Sequence, residues 1–151
     1  MSKAQFTHLH VHSQYSLLDG KASIPELVDK AIADGMHGIA LTDHGNMFGI
    51  KEFFNYVEKV NGKLPDDSKF KPIFGCEMYV ARNKMTDKKD KTDNGYHLIV
   101  LAKNEKGYHN LCKLVSHSWT EGYYYKPRTD REDLAAHREG LIVSSACLGG
   151  E

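Results

Sequence analysis

Cysteine is scarce: the 151 residues hold three, Cys76, Cys112 and Cys147, odd in number and far apart. That excludes a disulfide framework and reads as the reduced thiols of a cytoplasmic protein. Charge of one sign is missing too, since 20 Lys and Arg balance 20 Asp and Glu. No global basic field announces nucleic acid, so any such contact must be local. No apolar run approaches the roughly 20 residues of a membrane-spanning helix. Met1-Ser2-Lys3-Ala4-Gln5 leads straight toward a strand, with no signal peptide in view. There is no GxxxxGKS or GxxxxGKT loop, no GxGxxG after a strand, no HExxH helix and no GxSxG elbow. Nothing here supplies a nucleotidyl-transfer active site.

What is present is histidine, nine in all. Three of them alternate with apolar residues in His8-Leu9-His10-Val11-His12. In a strand, residues i, i+2 and i+4 share a face, with neighbours about 6.6 Å apart. This reading puts His8, His10 and His12 on one side and buries Leu9 and Val11 behind them. Imidazole is the commonest metal ligand, so the stretch points to a metal or phosphate site.

The length fits one soluble globular domain with a real core. Phe6–His12 is the first expected strand. Ser23-Ile24-Pro25-Glu26 opens a helix with a capping box and an early proline, and Gly35 ends it. Gly38–Leu41 is a short apolar strand, and a helix follows over Phe48–Val60. Pro72–Val80 and Tyr96–Ala102 are further strands. The lysine- and aspartate-rich stretch between them, 82–95, reads as a mobile surface loop, with a basic nucleic-acid finger as the sharper alternative. Asn104 caps a helix whose expected stripe is Tyr108, Leu111, Cys112, Val115 and Trp119. Asp130 opens a short helix to about Arg138, with Asp133 at the box position. Leu141–Val143 is the last strand. Helices alternate with short apolar strands, which predicts an α/β fold of parallel βα units, either an open sheet or a barrel.

Polar residues gather where strands end, the usual place for a site in such folds. His10 and His12 end the first strand, Asp19 lies in the loop after it, and Asp43 and His44 follow the second. Cys147 follows the last. Glu77 and His97 fit less neatly, in the middle and at the start of their strands. Nitrogen, oxygen and thiolate donors together suit zinc, manganese or iron better than calcium or magnesium. Asp43 has a plainer reading as a partner that orients His44. His37, His109, His117 and His137 lie in or beside helical stretches and read as surface or packing residues.

Taken together, His10-Val11-His12-Ser13, Leu41-Thr42-Asp43-His44-Gly45, Gly75-Cys76-Glu77 and Tyr96-His97-Leu98 resemble the PHP (polymerase and histidinol phosphatase) family. Tyr15–Gly20, Thr42–Gly49, Tyr124–Arg128 and Ser145–Glu151 are similar to the branch that opens the alpha subunit of bacterial replicative DNA polymerase III. The resemblance spans nearly the whole chain.

It implies the N-terminal portion of a distorted (β/α)7 barrel, about five βα units, with a metal cluster at one end. The ligands it implies are His10, His12, Asp19, His44, Glu77, His97 and Cys147, holding divalent ions, zinc or manganese. His8 stands just ahead of the ligand pair. The resemblance also implies a parent DNA-directed DNA polymerase acting on DNA with other replisome subunits, not on membranes. The domain itself would be a phosphoesterase, with 3′–5′ proofreading exonuclease activity. The alternatives are a non-catalytic module bracing the polymerase, or a histidinol-phosphatase-like enzyme. The family's last Asp-x-His motif and the polymerase core are not in the sequence, so residues 1–151 are expected to be an N-terminal PHP fragment with exposed apolar surface and an incomplete metal cluster. Tyr123-Tyr124-Tyr125-Lys126-Pro127-Arg128 offers stacking faces and cations for single-stranded DNA, or packs against other domains.

Overall fold

The structure, a computed structural model, describes residues 6–150. Helix α1 (Ile24–Ala33) begins where local chemistry demands it. The Ser23 hydroxyl accepts from the Glu26 N–H, the Glu26 carboxylate accepts from the Ser23 N–H, and Pro25 lies in the first turn. Strand β1 (Gly38–Leu41) is buried throughout. Helix α2 (Ile50–Asn61) turns Ile50, Phe53 and Val57 inward. These residues join Ile24, Val28, Ile39 and Leu41 in the main core. A short 3-10 turn (Asp66–Ser68) precedes the long strand β2 (Lys71–Val80). Strand β3 (Tyr96–Ala102), helix α3 (Glu105–Thr120), strand β4 (Arg128–Thr129), helix α4 (Arg131–Ala136) and strand β5 (Leu141–Ser145) complete the α/β fold.

Among the described residues the sheet is mixed, not parallel throughout. The first half of β2 pairs parallel with β1, and its second half pairs antiparallel with β3. Strand β4 adds to the end of β2 in parallel, and β5 lies antiparallel to β3. The β2–β3 connection carries no helix, so the chain can return beside itself without a crossover.

Three local expectations are corrected. The stretch 6–12 is extended but not a regular strand. It bonds beside β1 through Ala40 N–H to His8 O and Thr42 N–H to Val11 O, with a bend at Leu9-His10. Leu9 is consequently 49% exposed, while Val11 packs on the core. The buried face of α3 is Leu111, Leu114, Val115 and Ser118, and Trp119 is 42% exposed. Gly107 sets that rotation, because a Cβ there would lie 1.8 Å from the Gly140 carbonyl oxygen. The loop 82–95 is pinned. Buried Asp93 pairs with Arg128, which has no exposed surface, and Arg128 also bonds the carbonyls of Met85 and Asp87. Arg128 is therefore a structural cation, not a nucleic-acid contact. On the outside, β5 leaves Ile142 and Val143 half exposed.

Candidate metal centre

The antiparallel return of β3 explains how Glu77 and His97 reach the same place. Tyr79 pairs with His97 in the ladder, and Glu77 lies two residues from Tyr79 on the same face. The start of β3 therefore lies beside the second half of β2. Strand β5 runs back along β3 and delivers Cys147 to the same spot, where Gly149 O accepts from His97 N–H. Opposite them, the bend at Leu9-His10 lets His10 and His12 converge, with their Nε2 atoms 3.0 Å apart. His44 follows β1. Gly45, at φ +60°, makes the turn after it, where a Cβ would lie 2.6 Å from Pro127.

Of the seven residues named from the sequence, five surround the carboxylate of a sixth, Glu77, and the seventh, Asp19, reaches His44. Glu77 is fully buried. Its Oε2 lies 3.2 Å from His10 Nε2, 2.9 Å from His12 Nε2 and 2.9 Å from His44 Nδ1. Its Oε1 lies 2.9 Å from His97 Nδ1 and 3.7 Å from Cys147 Sγ. His44 turns its other nitrogen to Asp19 Oδ2 at 2.8 Å. Asp19 is presented by Leu18, a non-glycine residue at φ +68°. His8 stays outside, exposed and packed edge-on against Phe6.

The protons decide what this arrangement can hold. The single hydroxyl hydrogen of Ser16 goes to Asp43 Oδ1 at 2.7 Å, since a carboxylate can only accept. Ser16 Oγ then accepts from His44 N–H at 3.1 Å and from His12 Nδ1–H at 2.8 Å. With its proton fixed on Nδ1, a neutral His12 aims a lone pair from Nε2 at Glu77 Oε2. Lone pair facing lone pair at 2.9 Å is repulsive unless a cation, a proton or a metal ion, lies between. Consistently, His44 Nδ1 and Glu77 Oε2 are buried and make no hydrogen bond of acceptable geometry despite their closeness. Ligands of a tetrahedral zinc ion with bonds of about 2.0–2.1 Å stand about 3.3 Å apart, near the spacings found here. The donor set fits a metal.

Charge at the site follows the same crowding. Burial alone would push the Glu77 carboxyl up, but the imidazoles of His12, His44 and His10 outweigh it and hold it well below the usual range. The Glu77 contact raises His44, burial opposes it, and Asp19 adds to the rise. Burial, then the Glu77 charge, pushes the Tyr79 phenol up to about 12. Burial also pushes the Cys76 thiol far up, so Cys76 is an inert core residue.

Asp43 does not join the cluster. It is buried and accepts from Ser13 N–H, Ser13 Oγ and Ser16 Oγ, organising the loop that orients His12. Ser13 and Ser16 were missed in the sequence, where two loop serines carry no signal. Tyr79 was missed as well. Its ring stacks on His44 and meets His97 edge-on.

Beside His44 and Tyr79 opens a cleft of about 270 Å³, lined also by Phe48, Trp119, Tyr123 and Lys126. Trp119 and Tyr123 stack with ring centroids 5.6 Å apart, and the Lys126 ammonium lies 4.4 Å from the Tyr79 ring centroid. A larger cleft of about 770 Å³ runs along α1 and contains none of the cluster residues.

The PHP domain family model matches residues 8–151. The chain is 50% identical over 150 residues to the DNA polymerase III subunit alpha of Borreliella burgdorferi, covering 98% of this chain and 12% of that protein. It is 50% identical over 153 residues to that of Treponema pallidum, covering 100% and 12%. It is 45% identical over 157 residues to that of Aquifex aeolicus, covering 99% and 13%. The chain thus spans about an eighth of the length of these relatives. A solved structure of a candidate metal-dependent phosphoesterase from Bifidobacterium adolescentis aligns with TM-score 0.47 and 22% identity, covering 78% of this chain and 35% of that one. No helix among the described residues is long and apolar enough to cross a membrane.

Proposed function

The chain belongs to the PHP domain family, and from that premise we propose that it is a metal-dependent phosphoesterase. In this reading His10, His12, Asp19, His44, Glu77, His97 and Cys147 hold a cluster of divalent ions, zinc or manganese. The observation that carries it is Glu77, a buried carboxylate with nitrogen donors on both oxygens, suited to bridging ions. When bound, such ions lower the pKa of a bound water to about 7 and offset charge on a phosphate ester. The protein's own part is orientation: Ser16 and Asp43 fix the His12 proton on Nδ1, and β2 with β3 fix Glu77 against His97. Replacing Ser16 with Ala frees the His12 ring. A 10–100-fold loss of zinc affinity is expected, read by competition with a chromophoric chelator. Unchanged affinity would show that His12 needs no such support.

The substrate proposed is the 3′ end of single-stranded DNA, in the setting of a DNA polymerase III alpha subunit with its other domains and replisome partners. The names of the relatives support that setting. The cleft supports the substrate: Trp119 and Tyr123 offer exposed aromatic faces to bases, and Lys126 offers a cation to the backbone. A small sugar phosphate would use neither.

The test is hydrolysis of a 5′-labelled single-stranded oligonucleotide by the metal-loaded protein. Stepwise shortening from the 3′ end is expected, lost in EDTA and in a His10→Ala/His12→Ala variant that also loses its metal. Trp119→Ala should raise KM for the oligonucleotide about tenfold, from stacking worth about 1–3 kcal/mol per base, and leave a small aryl phosphate unaffected. Metal without hydrolysis would favour the bracing module, and absence of metal would refute the site.

A further inference from the structure

We propose a second metal site, separate from the Glu77 cluster, in which His117, Asp133 and His137 bind one zinc ion. The residues come from two elements that the sequence does not link. His117 is in the last turn of α3, Asp133 is in α4, and His137 caps the C-terminal end of α4. His117 Nδ1 lies 3.0 Å from Asp133 Oδ1, and His137 Nδ1 lies 3.0 Å from the same oxygen. The three ligand atoms all fall within 4.8 Å of one another.

In the metal-free protein His117 Nδ1 reaches Asp133 Oδ1, and His137 Nδ1 lies between that oxygen and the Asp133 main-chain carbonyl, so both ring nitrogens are already turned toward one carboxylate. His137 Nδ1 is 3.0 Å from that carbonyl, and one N–H cannot be aimed squarely at both acceptors. A cation takes the place of the Nδ1 protons. The Asp133 carboxylate is only 8% exposed, so its charge is poorly solvated, and Thr129 Oγ1 steadies its second oxygen at 3.4 Å. His117 is 35% exposed, which leaves an entry path and a coordination position for water. Two imidazoles and one carboxylate form the donor set of a three-ligand zinc site and are too nitrogen-rich for calcium or magnesium. The ion would clasp the end of α4 to α3, on the far side of the Tyr123–Arg128 segment in sequence.

The experiment is a zinc titration of the metal-stripped protein against a chromophoric chelator. Four forms are compared: wild type, His117→Gln, His137→Gln and the double variant. The expected result is the loss of one zinc equivalent in each variant, with circular dichroism unchanged. That loss should add to the loss caused by His10→Ala/His12→Ala. A readout that needs no variant at the site is the imidazole NMR spectrum. Added zinc should shift the His117 and His137 Nδ1 signals. Equal stoichiometry and affinity in the double variant, or no shift at these two rings, would overturn the proposal.

Discussion

Replacing Arg128 with Met is expected to destabilise the protein by about 3–5 kcal/mol, the usual consequence of removing one partner from a buried ion pair. The guanidinium has no exposed surface and meets Asp93 Oδ2 at 3.2 Å. It also donates to Met85 O at 3.1 Å and Asp87 O at 2.8 Å and lies over the Tyr124 ring. Met fills much of the volume but leaves the Asp93 carboxylate buried without its cation and strands the carbonyls. Asp93 in turn accepts from the Arg82 and Gly95 N–H groups, so the ends of the loop 82–95 close on this one carboxylate. The measurement is urea unfolding, where the midpoint should fall with little change in slope. Asp93→Asn made in the Arg128→Met background should cost much less than it does alone, because the two residues share one interaction. A loss below about 1 kcal/mol for Arg128→Met would mean that the loop is held by something else.

Much of this was legible because it is local. The Ser23–Glu26 box, the Asn104 cap and the apolar runs of β1, β2 and β3 are determined by residues within a few positions of one another. His10, His12, His44 and Cys147 were legible because histidine and cysteine gathered near strand ends have few other uses together. Glu77 and His97 fit that pattern less neatly and rested on the family resemblance. Strand direction was not legible. Whether β3 runs with or against β2 depends on a fifteen-residue connection, 81–95, whose polar surface hides Asp93 and Met85 turned inward. The burial of Arg128 was hidden for the same reason, since a cation in a Tyr-Lys-Pro-Arg stretch looks like a surface feature until its partner, 35 positions away, is placed. The stretch His8–His12 has a perfect strand alternation and is not a regular strand. A straight strand holds alternate side chains apart, whereas the bend brings two imidazoles onto one oxygen. The local pattern is broken where the candidate site needs it broken.

Glu77→Gln should abolish metal-dependent hydrolysis while the chain stays folded. An amide nearly preserves volume and keeps one acceptor, but removes the negative charge that the cluster is built around. Losing about 4 kcal/mol of charge stabilisation corresponds to about a thousandfold in rate. Metal content should fall with it, since His10, His12, His44 and His97 would face a neutral group. The metal-free protein offers an independent readout in its stability against pH. The depressed Glu77 carboxyl contributes stability above its ordinary value of 4.5, and this is lost as pH falls through the folded value. The raised His44 contributes stability below its ordinary value of 6.5, and this is lost as pH rises through its folded value. Both contributions are complete only between those two pH values, so the metal-free protein should be most stable there. In Glu77→Gln the carboxyl contribution vanishes and the His44 contribution shrinks to what Asp19 supplies. The maximum should flatten. Chelator-stripped wild type and variant, unfolded by urea from pH 4 to 8, provide the comparison. Profiles of the same shape in both would show that Glu77 is not the group on which these imidazoles converge electrostatically, whatever the hydrolysis assay reports.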